Sequence, residues 1–305
     1  MNFYESARFQ YAAARLMVKL AQFREKGRFV KKITSNTNLG IQLVTQIDGS
    51  FNINVEVPDQ RPTDEVFVKI SVSDLIAYVS ERIVEKIDEQ ALREIDLPDR
   101  RTRTGAGAAD AALNQLVEDA MAGRDMTARL PVQVQDSVKR RVAEAYRERR
   151  LAESSKAISL IDFARSQKLI SMSAPLISEM ATALRQSAES LEITETTGGR
   201  SNSIFYLNRE MAAEIETAIV DSEITPILGD ITQFNKDNGW GKLKIENGSK
   251  IMNFSIPSDI LPSIKATLIQ NMQKDLVFLQ TYFVRDPGGE VIRLIAVGIL
   301  PTPTK

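Results

Sequence analysis

The chain has 305 residues, 39 Lys and Arg against 40 Asp and Glu, a formal net charge of -1, and neither His nor Cys. That inventory removes thiol catalysis, disulfides, Cys/His zinc sites and every acid-base step that needs imidazole, and a nearly neutral molecule attracts nucleic acid or anionic lipid only through a local patch. With 43% hydrophobic and 26% charged residues it has the composition of a folded globular protein, long enough for two domains.

No apolar run approaches the ~20 residues that cross a bilayer, and the opening MNFYESARFQ lacks the basic-then-apolar layout of a secretory signal. A cytoplasmic protein without membrane contact is expected. Along residues 3–26, Phe9, Ala13, Leu16, Leu20 and Phe23 recur at three- and four-residue steps, and Tyr11, Ala14, Val18 and Ala21 widen the face. The spacing predicts a helix buried over a broad arc, closed by Gly27 beside Arg24, Lys26 and Arg28.

Two period-two segments around Asp48-Gly49 follow, with Phe51, Ile53, Val55 and Val57 on one face of the second; they predict a hairpin. A third strand is expected over 65–72, then a helix capped by Ser73 and carrying Leu75, Ile76, Val79, Ile83, Val84 and Ile87 at helical spacing. Residues 1–92 thus form an expected α+β unit with helices over an antiparallel sheet. The segment 93–108, rich in charge, Pro and Gly, is expected to be a linker.

Helices dominate 109–228: one at 109–122, a long charged one at 132–156, and shorter ones at 158–169 and 174–191. Gly198-Gly199 marks a loop, a strand is expected at 203–207, and a helix at 208–220 leads to the last domain, 229–305.

That last domain has the alternation of five short strands. GDITQFNKDNGWGKLKI, residues 229–245, carries Gly229, Ile231, Phe234, Asn235 and the run Gly239-Trp240-Gly241, and Phe254 and Ser255 follow in the next strand. These residues resemble the first three strands of a cold-shock domain. Two further strands, 275–285 and 290–300, flank the turn Asp286-Pro287-Gly288-Gly289, with a helical insert at 262–273 before them. The resemblance covers about 70 residues and implies a small five-stranded OB-type barrel, making the whole an α+β protein.

It also implies a nucleic-acid face, since OB-type single-strand binders stack bases on exposed aromatics. The residues available for it are Phe234, Lys236, Trp240, Lys242, Lys244, Asn253 and Phe254. Gln233, Lys242, Ile251 and Asn253, however, stand where the family carries stacking side chains, and 229–305 is nearly neutral, with 9 Lys/Arg and 7 Asp/Glu. An exposed Trp suits a protein interface equally well.

Elsewhere, Lys139, Arg140, Arg147 and Arg150 mark a basic ridge on the long helix, though its Glu residues fit ordinary pairing along a solvated helix face. Acidic residues gather instead at Glu189, Glu192, Glu195, Glu210, Glu214, Glu216, Asp221 and Glu223, a separation that favours head-to-tail self-association or two charged segments meeting within one chain. Arg100, Arg101 and Arg103 beside Gly105 and Gly107 lack the strand that a dinucleotide loop needs. Asp59, Asp64, Glu65 and Lys69 are a near miss for a metal-dependent nuclease.

The expectation is therefore a non-catalytic binding or assembly protein without a cofactor, acting on a protein partner or on further copies of itself. Single-stranded nucleic-acid binding is the alternative, and a divalent-metal hydrolase the remote one. Such a protein would suit a bacterial multi-gene system, an anti-phage locus among them, although no residue encodes that setting.

Overall fold

The computed structural model of the chain describes residues 3–27, 33–34, 42–47, 52–56, 67–86, 115–122, 124, 131–185, 188–197, 200–217, 219–221, 223–245, 250–273, 276–285 and 289–301. Helix α1 spans Phe3–Lys26 and ends as expected: Gly27, at φ +60°, donates its amide to the Phe23 carbonyl at 2.8 Å. Its buried face is narrower than the sequence suggests. Leu16, Leu20 and Phe23 lie in the core, whereas Tyr11 is 62% exposed and Ala14 is exposed as well.

Strands β1 (Gln42–Ile47) and β2 (Asn52–Glu56) pair antiparallel, and the Asp48-Gly49 turn between them lies outside the described residues. The third strand does not form over its described part. Phe67 and Val68 donate their amides to the carbonyls of Glu25 and Arg24, both at 3.1 Å, so this segment closes the end of α1. Its alternating apolar residues, Val68 and Ile70, are buried in packing rather than in a ladder. Helix α2 (Val72–Ile83) starts earlier than expected, at Ser71, whose hydroxyl accepts from the Asp74 amide while the Asp74 carboxylate accepts from the Ser71 amide.

The long helix α3 spans Val132–Glu153 and is followed by α4 (Ser155–Ile158). The two helices expected between 158 and 191 are one, α5 (Phe163–Ala181), which runs through Pro175. A Pro there removes one helical hydrogen bond and crowds the preceding turn, but Leu169, Ile170, Leu176, Ile177 and Met180 bury both halves in one core. Where that second helix was expected to end, β3 (Ser190–Thr197) pairs antiparallel with β4 (Arg200–Asn208) and sets Leu191 opposite Leu207. Helix α6 (Arg209–Thr217) and the short β5 (Ile219–Val220) follow.

The barrel strands are β6 (Thr225–Phe234), β7 (Trp240–Ile245), β8 (Ile251–Ser255), β9 (Val277–Arg285) and β10 (Val291–Leu300), with α7 (Leu261–Asn271) between β8 and β9. Their order is β10-β8-β7-β6-β9, closed by pairing of β9 with β10; β8 and β10 run parallel and the other pairs antiparallel. Counted from β6 this is 1-2-3-5-4-1 with a helix after the third strand, a closed five-stranded mixed barrel of the OB-like kind.

Ile231, Leu243, Met252, Phe254, Leu279 and Leu294 fill its interior. Tyr282, Val284 and Ile295 instead join a larger core with residues of α1, α2, α5 and β4, including Leu16, Leu75, Leu169 and Phe205. That core draws on both the N-terminal and central segments and reaches into the outer side of the barrel. No described helix is long and apolar enough to cross a membrane.

Candidate functional site at the junction of barrel and helices

Strand alternation decides which barrel residues could meet a ligand. Leu243 belongs to the barrel interior, and a Cβ at Gly241 would strike the Phe254 ring, so these two face inward. Trp240, Lys242 and Lys244 therefore face outward. Cross-strand pairing places Ser255, Asn253 and Ile251 of β8 beside them. This is the outer face of the second and third strands, where OB folds bind oligonucleotides and oligosaccharides.

The aromatic residues are not offered there. Trp240 is only 3% exposed; Phe254 is buried inside the barrel, its ring stacked at 6.1 Å on that of the half-buried Phe234. The Lys242 ammonium lies 5.3 Å from the Trp240 ring centroid. Lys236 and Lys244 are exposed, and Asn253 is half-buried.

Polar contacts around the β6–β7 turn come from the end of α2 and the residues that follow it. Lys86 Nζ donates to the Asn238 carbonyl at 2.5 Å, and Asn253 Nδ2 donates to Glu85 at 3.4 Å. The Ser258 amide donates to Glu81 at 3.2 Å, Arg82 bonds Asp259 at 2.5 Å, and Arg293 donates to the Ile83 carbonyl. The receiving turn is built by Asn235 and Asn238, whose side-chain oxygens accept the amides of Asp237 and Trp240 respectively, both at 2.9 Å.

At the centre of this junction is a buried charge cluster. Glu81 has no side-chain exposure and bonds Lys86 at 2.8 Å and Arg147 at 3.2 Å, themselves 1% and 2% exposed. Burial alone would raise the Glu81 carboxyl; the two cations overcome it and hold the group at about 2. Arg82 stacks 3.6 Å from the Tyr78 ring centroid. Its burial opposes charge, but Asp259 outweighs that and pushes its pKa upward.

The basic ridge is thereby turned inward. Of its four residues only Lys139 is exposed. Arg147 is in the cluster; Arg140 donates to the Glu85 carbonyl at 2.7 Å; Arg150 bonds Asp74 at 2.7 Å and also pairs with Glu195. The basic helix and one of the acidic residues of β3 thus meet within a single chain, as does Tyr206 with Asp136 at 2.7 Å. The three- and four-residue spacing of acids and bases that suggested a solvated face also serves a helix whose charges reach other elements.

Two cavities flank the junction. One of about 260 Å³ is lined by Val84, Glu85, Met211, Glu214, Asn253 and Arg293. Arg293 is 7% exposed, its Nη1 has no hydrogen-bond partner, and burial lowers its pKa; burial, with Glu85 nearby, raises that of Glu214. The other, of about 240 Å³, is lined by Tyr78, Arg82, Ser166, Asp259 and Tyr282 among others. Tyr78 donates to Ser166 Oγ at 2.8 Å, and burial raises the pKa of both phenols.

In the second cavity, the phenols of Tyr78 and Tyr282, pushed upward, and Arg82, held by Asp259, can orient a neighbour or brace two elements. They are poorly matched to proton transfer near neutral pH, which needs a group titrating there. Among the described residues no three His, Cys, Asp or Glu side chains gather as a metal set. Asp59, Asp64 and Glu65, like Arg100, Arg101 and Arg103, lie outside the described residues.

Sequence reasoning missed Glu81, Arg82, Glu85 and Lys86. Their signal was present: two acid-base pairs four residues apart at the end of an otherwise apolar helix. No protein-family model, curated protein or solved structure matches this chain.

Proposed function

We propose that this is a non-catalytic binding and assembly protein acting through protein contacts, and that its barrel, related to cold-shock domains, serves to dock its own helices rather than to stack bases. The observation that carries this reading is the position of Trp240: it faces outward from the second barrel strand yet is 3% exposed, beside a turn that Lys86 holds. The Trp240 end of that outward face withholds its ring from a base, although Lys244 and Ile251 remain exposed on it, and the molecule has large aromatic side chains exposed elsewhere.

The test combines the mass in solution, capture from the native cell and a nucleic-acid titration. A mass above the 34.0 kDa of one chain, or a protein partner retained by the tagged chain, is expected, with no oligonucleotide binding at low salt. A strict monomer with no partner ends the reading. Salt-dependent binding of single strands that is lost in Lys244→Ala would put nucleic-acid binding in its place.

A further inference from the structure

The solvent side of α1 is unusual for a surface helix. Tyr4, Ala7, Tyr11 and Ala14 follow one another at steps of three and four and are all exposed, Tyr4 at 67% and Tyr11 at 62%. The stripe lies opposite the Leu16, Leu20 and Phe23 face and continues at the same spacing into Val18 and Ala21, which are buried. Steps of three and four repeating every seven residues form the seam along which helices pair. This part of α1 therefore presents an apolar seam where charged side chains are the rule.

We propose that this seam is the contact between two copies of the chain, paired antiparallel about a two-fold axis on the exposed side of α1, midway between Ala7 and Tyr11. The inference rests on the proposed function and names the partner: a second copy of this chain. The seam alternates large and small side chains, and its order is self-complementary. Antiparallel pairing about residue 9 sets Tyr4 against Ala14 and Ala7 against Tyr11 of the other copy, so each ring meets a small residue. Parallel pairing in register would set ring against ring and leave gaps at the alanines, which close packing disfavours. A two-fold contact also requires one patch to fit itself.

The rings are held in place for such a contact. The Arg8 guanidinium lies 5.8 Å from the Tyr4 ring centroid and that of Arg15 lies 5.2 Å from Tyr11. Both arginines also reach Glu179 of α5, at 3.6 and 3.9 Å, which tempers their charge at the seam. Tyr and Arg are the residue types on which binding energy concentrates. A contact of three helical turns is smaller than the ~1,600 Å² of a standard interface, so the dimer is weak and in exchange with monomer.

Sedimentation equilibrium from low to several hundred micromolar should give a monomer-dimer equilibrium, and Ala7→Arg or Tyr11→Arg should raise its dissociation constant ~10-fold or more. Both sites are exposed, so circular dichroism should be unchanged. Because the chain has no native Cys, orientation can be read by oxidation: a mixture of Tyr4→Cys and Ala14→Cys chains should form a disulfide, and Ala14→Cys alone should not.

A monomer at all concentrations overturns the inference. With Tyr11 then shielded from modification, a segment of the same chain covers the seam; with Tyr11 reactive, nothing does. A dimer insensitive to both arginine variants, or joined through Ala14→Cys alone, overturns it too. In each case a partner captured from the native cell would leave the broader reading standing.

Discussion

Lys86, three residues past the end of α2, bonds Glu81 of that helix at 2.8 Å and the carbonyl of Asn238 in the barrel at 2.5 Å, spanning 152 residues of sequence. A lysine so placed is both the counter-charge of a buried carboxylate and the peg between two parts of the fold. Removing one member of a buried ion pair leaves the other uncompensated, at a cost of roughly 3–5 kcal/mol, while replacing both with apolar groups is often tolerated. Lys86→Met is therefore expected to lower stability by that amount in chemical denaturation. The double variant Glu81→Gln/Lys86→Met leaves the buried Arg147 without its carboxylate, so it should recover only part of the loss. A double variant as unstable as the sum of the singles would mean that the Lys86–Glu81 pair carries no coupling of its own.

Stability should depend on acid in a defined direction. Glu81 is held at about 2 against an ordinary 4.5, so the unfolded chain takes up its proton more readily than the folded one. Its contribution, on the order of 3 kcal/mol for a fully buried group, is present above about pH 5 and lost as pH falls toward 2. Burial moves Glu148 the other way. Its protonation adds stability as pH falls through its raised folded value. Melting temperatures should thus hold or rise slightly on mild acidification and then fall steeply. Glu81→Gln should flatten the steep limb, and an equally steep limb in that variant would assign acid unfolding to other carboxylates.

Trp240 is the single tryptophan of the chain, and its burial makes it a reporter of the junction. Its emission should be blue-shifted and poorly quenched by iodide in the native protein. In Lys86→Met the emission should move red, if the α2 end is what covers the ring, before the far-ultraviolet signal of the helices is lost. Emission typical of a solvated indole in the unmodified protein would contradict the covered face.

How far the sequence carried this picture depended on how local the determining physics was. The barrel strands were readable because alternation, the Gly239-Trp240-Gly241 run and the Pro-Gly turn sequence are short-range signals. They close into a five-stranded barrel, as expected. Val68 and Ile70 misled because alternating burial fits a strand and also a segment pinned to the end of α1 by the carbonyls of Arg24 and Glu25. The two helices expected at 158–169 and 174–191 are one because Leu169, Ile170, Leu176 and Ile177 pack into a single core across Pro175. The site was least legible. Whether Arg147 and Arg150 face solvent or pair with Glu81 and Asp74 depends on helices far apart in sequence, and the burial of the outward-facing Trp240 left no local mark.

The tightest local constraint on the barrel is the approach of β7 to Phe254. A Cβ at Gly241 would lie 2.5 Å from two ring carbons of Phe254 and 2.7 Å from the Gln233 carbonyl oxygen, closer than real contacts allow. The ring cannot simply retreat, because it stacks on Phe234. Gly241→Ala must displace this aromatic pair or loosen the Phe234–Gly241 step of the β6–β7 ladder. Overpacking of this kind costs roughly 1–3 kcal/mol. Gly289 offers the control: at φ +85° an alanine there has nothing within 4 Å to strike, so only the backbone preference opposes it, about 1–2 kcal/mol. Heteronuclear NMR spectra of Gly241→Ala should show shifts spreading through the barrel interior to Phe234, Phe254 and Leu243, whereas those of Gly289→Ala should stay near the turn. Localised shifts in both would mean that the approach of Gly241 to Phe254 relaxes without disturbing the barrel.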